Sequence, residues 1–226
     1  MRSTQAIVLH LQKHSDKVSL SHLYALDSGR ITCAVYSKKY ANILQPMSLV
    51  DLAYELRPNQ TMGIIKSVSL QYVPQQTNID MRRYSVALFI SEILYRVLLH
   101  PLYDEGMFVY LSSVIKELDQ TSYPENIHLR FLLHLTNYLG IMPEWIGESN
   151  YLDMQLGEQR YSKPMHDDYF THEELVEIQA LYNSDNRVIG RKMRQQLLDK
   201  LCRYYELHLP EFQTPKALSI LKEIFD

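Results

Sequence analysis

The chain has 226 residues, 46% of them hydrophobic, enough for one large core or two small ones. Its longest apolar stretches, such as 86–99, are broken by Ser91, Glu92 and Arg96 and are too short to cross a bilayer; with no secretory apolar region after Met1, a cytoplasmic protein is expected. Two cysteines, Cys33 and Cys202, are too few for a disulfide framework or an all-thiolate zinc site, and a net charge of −3 by itself disfavours nucleic acid as a partner.

Residues 1–75 read as five short strands. The first, 6–11, is short and rich in strand-forming side chains. Val18, Leu20, His22, Tyr24 and Leu26 recur at period two and share a face. Asp27-Ser28-Gly29 marks a turn in which Gly29 can take positive φ, and 30–36 follows as hairpin partner. Residues 48–56 alternate again, with Leu52, Tyr54 and Leu56 on one face. The chain turns at 57–60, and 62–72 makes the last strand, with Gly63 as a bulge position. Five such strands fit a small closed barrel of the OB type, because closure removes exposed strand edges.

The charge follows the same division. Residues 1–75 carry eight Lys/Arg against four Asp/Glu, whereas 76–226 carry fifteen against twenty-two. The link between the third and fourth strands, 37–42, holds Lys38, Lys39 and Tyr40 and no acid. Lys13, Lys17, Arg30 and Lys66 lie in neighbouring loops or strand ends. Cations beside an aromatic suit a single-stranded nucleic acid, whose phosphates take the charges while an unpaired base stacks on the ring. An ordinary solvated loop has the same composition, and both readings stand at this point.

The rest reads as a helical domain over 76–226. The first helix spans 80–100, opened by Arg82 and Arg83, which extend the basic set beside the barrel. Further helices are expected at 104–118 and at 127–139, where Gly140 sits at the C′ position with Pro143 beyond. An irregular or hairpin excursion covers about 145–170. Helices resume, including 186–208 and 215–225, the latter with Thr214 as cap and Pro215 at its first position.

Few residues suggest bond chemistry. His166, Asp167, Asp168, His172, Glu173 and Glu174 form the one dense set of ligand types, but Thr171 to Glu174 also reads as a capping box, which needs no metal. No phosphate-cradling glycine loop or nucleophile elbow is found, and no cofactor or enzymatic activity is expected. Arg187, Arg191 and Arg194 share a helix face and form a candidate contact for phosphate or an acidic peptide; a plain solvated face is the alternative. Arg130 precedes Phe131 on an otherwise apolar helix, an arrangement that can seat an acidic tail ending in an aromatic.

The order and spacing of several short motifs resemble the bacterial recombination mediator family RecO. They are 5–10, Tyr24 through Gly29-Arg30, Leu44-Gln45-Pro46, 90–94, 129–133, 138–143 and the closing 204–210, the last as in members from Bacteroides-like bacteria. The likeness spans nearly the whole chain. It implies an OB-fold at 1–75 followed by a helical domain. It also implies binding of single- and double-stranded DNA, annealing of complementary strands and help in loading RecA, in the cytoplasm at the nucleoid. Implied partners are RecR and the acidic, Phe-ending tail of SSB, with RecA engaged indirectly. By position, Arg130 falls where the family uses a basic residue for that tail, and Lys38-Lys39 falls in a basic loop thought to meet DNA or RecR. Many relatives carry a four-cysteine zinc knuckle where 145–169 here has no cysteine, so no zinc is expected. A protein-interaction adaptor without DNA contact remains the alternative.

Overall fold

The structure, a computed structural model, describes residues 1–58, 60–100, 103–145, 149–183 and 189–225. Strands β1 (Arg2–Lys13), β2 (Ser19–Ala25), β3 (Gly29–Val35), β4 (Leu49–Glu55) and β5 (Met62–Leu70) close a barrel in the order β1-β2-β3-β5-β4. All pairings are antiparallel except β3 with β5, and β4 returns to β1 to seal it. This is the OB-type barrel expected from the strand pattern, followed by a largely helical region.

Inside the barrel lie Val8, Leu23, Cys33, Leu52, Tyr54 and Val68. The alternating set from Val18 to Leu26 faces the other way: Leu23 and Ala25 point inward, while Tyr24 lies outside the barrel interior yet is only 1% exposed. Helices cover it. Tyr24 donates its hydroxyl to the Asp104 carbonyl at 3.3 Å and stacks on Phe108 at 6.4 Å between centroids. Helices α1 (Met81–Val97) and α2 (Glu105–Gln120) form this cover. The Ser91 hydroxyl on α1 donates to the Leu9 carbonyl of β1. A barrel with two apolar faces cannot stand alone in water, since each buried large apolar side chain contributes about 1.5–3 kcal/mol. Strands end at Leu70, but the compact unit runs from Met1 to Ser122 and includes Pro215–Ala217.

Two bulges shape the barrel. Ala53 pairs with Ser67 but Tyr54 with Ile65, so Lys66 is an extra residue on β5; Leu9 is likewise extra on β1. The bulge expected at Gly63 is therefore three places further on. Gly63 has a different cause: a Cβ there would lie 2.7 Å from Tyr54 Cδ2 and 3.0 Å from Cys33 Sγ. The parallel β3–β5 closure brings backbone against side chains at this point.

Between β5 and α1 the chain is held by one carboxylate. Asp119 of α2 accepts from the backbone N–H groups of Gln75, Gln76 and Thr77, and from the hydroxyls of Tyr72 and Thr77. α1 is capped by Asp80, whose side chain accepts from Arg82 N at 2.9 Å.

The second unit comprises Tyr123–Thr214 and the chain from Leu218 on. It contains α3 (Ile127–Leu139), α4 (His172–Tyr182), α5 (Arg191–His208) and most of α6 (Ala217–Ile224). α3 ends as expected at Gly140, with φ 68°. The Tyr205 hydroxyl of α5 donates to the Leu132 carbonyl of α3 at 2.7 Å. The 145–170 excursion is a small sheet, β7 (Glu158–Arg160), β6 (Tyr151–Asp153) and β8 (Tyr169–Thr171) in that order. The expected start of α5, 186–188, lies outside the described residues.

Thr214 does not cap α6. Its hydroxyl donates to Glu206 at 2.5 Å. The N–H groups of Lys216 and Ala217, both in the first unit, are instead taken by Glu92 of α1 at 3.1 and 2.8 Å. A carboxylate from a distant helix satisfies these orphan donors better than a local hydroxyl, because it carries full charge.

Candidate nucleic-acid interface

Two turns at one end of the barrel form the site. The β1–β2 turn is tight: His14 N and Ser15 N both donate to the Val18 carbonyl, at 3.0 and 2.9 Å. This fixes Lys13, Asp16 and Lys17 around one corner. After β3 the chain makes a 3-10 turn at Lys38–Tyr40, closed by Ala41 N donating to the Lys38 carbonyl at 3.1 Å. Between the two turns lies a cleft of about 450 Å3, whose lining includes Lys13, Lys17 and Lys38. Three of the lysines read from sequence thus converge, although 25 residues separate the first from the last.

Lys39 and Tyr40 sit in the same 3-10 turn. The Lys39 ammonium lies over the Tyr40 ring, 4.9 Å from its centroid. The Tyr40 ring packs on the barrel core and its hydroxyl donates to the Lys66 carbonyl at 3.1 Å. Tyr40 is thereby a strut between the basic turn and the β5 bulge. Lys66 is ion-paired with Glu55 at 2.7 Å, and its ammonium holds the Glu55 carboxyl below its ordinary pKa. Lys13 pairs with Asp16 at 2.9 Å, but both side chains are largely exposed, so the pair is weak and open to exchange with a phosphate.

The remaining predicted cations lie elsewhere. Arg30 opens β3, about 20 Å by strand geometry from the cleft at its other end. Its guanidinium donates to the carbonyls of Tyr95 (2.8 Å) and Leu98 and lies 4.7 Å from the Tyr95 ring centroid. It ties off the carbonyls at the end of α1 and is omitted from the interface. Arg83 is likewise tethered, to Asp80 at 2.6 Å and to the Thr121 carbonyl, so it too serves the helices. Arg82 is exposed at the start of α1 and is not part of the cleft lining.

In the second unit, Arg130 is half-buried on α3, and Phe131 is 1% exposed. Phe131 therefore fixes α3 in the core and offers no surface to a peptide. Arg191 is exposed at the start of α5. Arg194 donates to the Ile189 carbonyl at 3.2 Å and lies 5.7 Å from the Phe225 ring centroid. Arg187 lies outside the described residues.

Sequence reading missed Tyr36. It directly follows β3, is 60% exposed and lines the cleft, whereas Tyr40, the aromatic chosen from its neighbours, is packed. The signal was present: Val35 points into the barrel, so its neighbour on the strand points out.

Most of the groups considered for bond chemistry are otherwise engaged. Burial pushes both thiols, Cys33 and Cys202, up to about 12, so they stay protonated. Thr171 and Glu174 form the full capping box. His172 Nδ1 lies 3.0 Å from the Ser149 carbonyl, and His166 lies 3.3 Å from Asp153. Among the described residues, no group of three or more His, Cys, Asp or Glu side chains could hold a metal ion. Among them, too, no helix is long and apolar enough to cross a membrane.

Residues 79–217 match the family model described as Recombination protein O C terminal. Over the full length, the chain is similar to the DNA repair protein RecO of Bacteroides fragilis, at 30% identity with 100% of both chains covered. It is also similar to the protein of that name from Phocaeicola vulgatus, at 29% identity over 100% of this chain and 99% of the relative. The corresponding Porphyromonas gingivalis protein is 29% identical over 99% of this chain and 98% of its own.

Proposed function

The chain belongs to the RecO family of DNA repair proteins, and from that premise we propose that it is a non-catalytic recombination mediator whose barrel binds DNA. It holds single strands, and more loosely duplexes, and anneals complementary strands. With RecR it helps place RecA on DNA coated by SSB. The observation that carries this reading is the convergence of Lys13, Lys17 and Lys38 on one cleft, with Lys39 beside them.

Annealing of this kind needs no bond chemistry. Each strand is a row of negative charges, and two strands repel until cations intervene. A lysine-rimmed cleft lowers that repulsion and holds a strand extended while base pairing with its complement supplies the free energy. The acidic helical remainder gives the protein a net charge of −3, which limits unspecific adherence to duplex. Arg130 on α3 receives the acidic SSB tail, and that docking raises the local concentration of the barrel at coated strands. The basic turn meets DNA alone or together with RecR.

The test is the double substitution Lys38→Glu with Lys39→Glu, assayed for single-strand binding with RecR present across a salt series. Losing two phosphate contacts lowers the slope of log affinity against log salt by about 1.4, at about 0.7 per phosphate for single strands. An affinity and a slope equal to those of the wild type would remove the barrel from the interface and leave the adaptor reading in its place.

A further inference from the structure

The cleft between the two turns is not uniformly basic. Its lining includes Lys13, Lys17 and Lys38, but also the apolar residues Leu11 and Val35, and Asp16 stands among the lysines. A phosphate driven into this space would meet a carboxylate and apolar carbon. A flat uncharged ring would escape the repulsion and could lay its face on apolar carbon, and its attached phosphates would stay out on the lysines. Tyr36 supplies a wall of the right kind: a ring 60% exposed, at the end of a rigid strand and inside the cleft lining.

We propose that the cleft seats one unpaired nucleobase, stacked on Tyr36, with the flanking phosphates on the rim lysines. The volume of about 450 Å3 is within the range of pockets for small organic ligands, roughly 300–1,000 Å3. It rests on the reading of the barrel as DNA-binding and adds a basis for choosing single strands. In a duplex both faces of each base are stacked and its pairing edge is used, so no base can enter without being unstacked. The lysines alone would accept phosphates of either form.

Full-length protein carrying Tyr36→Ala, and separately Tyr36→Trp, is titrated with an oligothymidine, an abasic strand of equal length and a duplex. Tyr36→Ala is expected to weaken the oligothymidine about tenfold, the usual scale of one base–aromatic stack, and to leave the abasic strand, the duplex and the salt slope unchanged. Tyr36→Trp is expected to keep or improve oligothymidine binding. Tyr36 is exposed, so neither change threatens the fold, and matching circular dichroism spectra check that. Equal loss for base-bearing and abasic strands, or no loss for either, overturns the base seat while leaving the phosphate-binding reading intact. A wild-type protein that binds neither strand, with or without RecR, overturns both.

Discussion

Asp119 is where a single carboxylate holds the link between β5 and α1 to α2, and replacing it tests that dependence. The side chain is 2% exposed and accepts from Gln75 N at 2.9 Å, Gln76 N at 2.8 Å, Thr77 N at 2.8 Å, the Tyr72 hydroxyl at 2.8 Å and the Thr77 hydroxyl at 3.0 Å. Asn at this position keeps one acceptor oxygen and turns an amide donor towards other donors. Each buried donor left unpaired costs about 1–3 kcal/mol, and relaxation and entering water make the sum sub-additive. A loss of about 3–5 kcal/mol is expected for Asp119→Asn. In urea, at about 2 kcal/mol per molar, that moves the unfolding midpoint followed by far-ultraviolet circular dichroism down by about 2 M. Acid has a related effect. Burial alone would raise the Asp119 pKa, but the three backbone N–H groups and the Tyr72 hydroxyl outweigh it and hold the carboxyl well below the usual carboxylate range. The unfolded chain therefore takes up this proton first as pH falls. The Asp119 contribution is complete above the unfolded pKa of about 3.9 and fades below it. Asp119→Asn should thus be less stable at neutral pH and show a shallower acid dependence. A midpoint shift under about 0.5 M, with the acid dependence unchanged, would refute the claim that this carboxylate organises the junction.

Arg30→Ala separates structural cations from those of the proposed interface. It removes the donors to Tyr95 and Leu98 and the stacking on Tyr95, so stability in urea should fall by about 1–3 kcal/mol while single-strand affinity of the folded protein stays within twofold. In the small sheet, Asp153→Ala should lower the melting temperature, because Asp153 accepts from Gln155 N at 3.0 Å and Leu156 N at 3.2 Å and faces His166 at 3.3 Å. A chelator should leave the wild-type melting curve unchanged, since these bonds close the turn from the chain's own groups.

Local order was legible along most of the chain. Four strands of the barrel, the Gly140 end of α3 and the Thr171 capping box lie close to where the pattern put them, whereas β1, expected as a short strand at 6–11, runs from Arg2 to Lys13 because pairing with both β2 and β4 extends it at its two ends. Long-range partners were not legible. Nothing local to Thr214 shows that Glu92 would take the donors of α6, and nothing local to Gly63 shows that the bulge would fall at Lys66. The site divides in the same way. Charge picked out Lys13, Lys17 and Lys38, which line one cleft, but charge could not tell these from Arg30 and Arg83, which belong to carbonyls at helix ends. Period two identified a strand face at Val18–Leu26 without saying which side was inside, because both sides of this barrel wall are covered.

That double covering bears on how the barrel works. An OB-type barrel exposed all round could take a strand on any face; here α1 and α2 occupy the wall built by Leu9 and Tyr24, and the end of β3 near Arg30 is closed by the last turn of α1. The opposite end of β3, where Tyr36 and the Lys38 turn emerge, keeps its cations facing solvent. Tyr40 braces this end through the carbonyl of Lys66, the extra residue on β5. The cleft is lined from the ends of β1, β2 and β3 and the turns that join or follow them, so its lysines meet because barrel pairing sets those strand ends side by side.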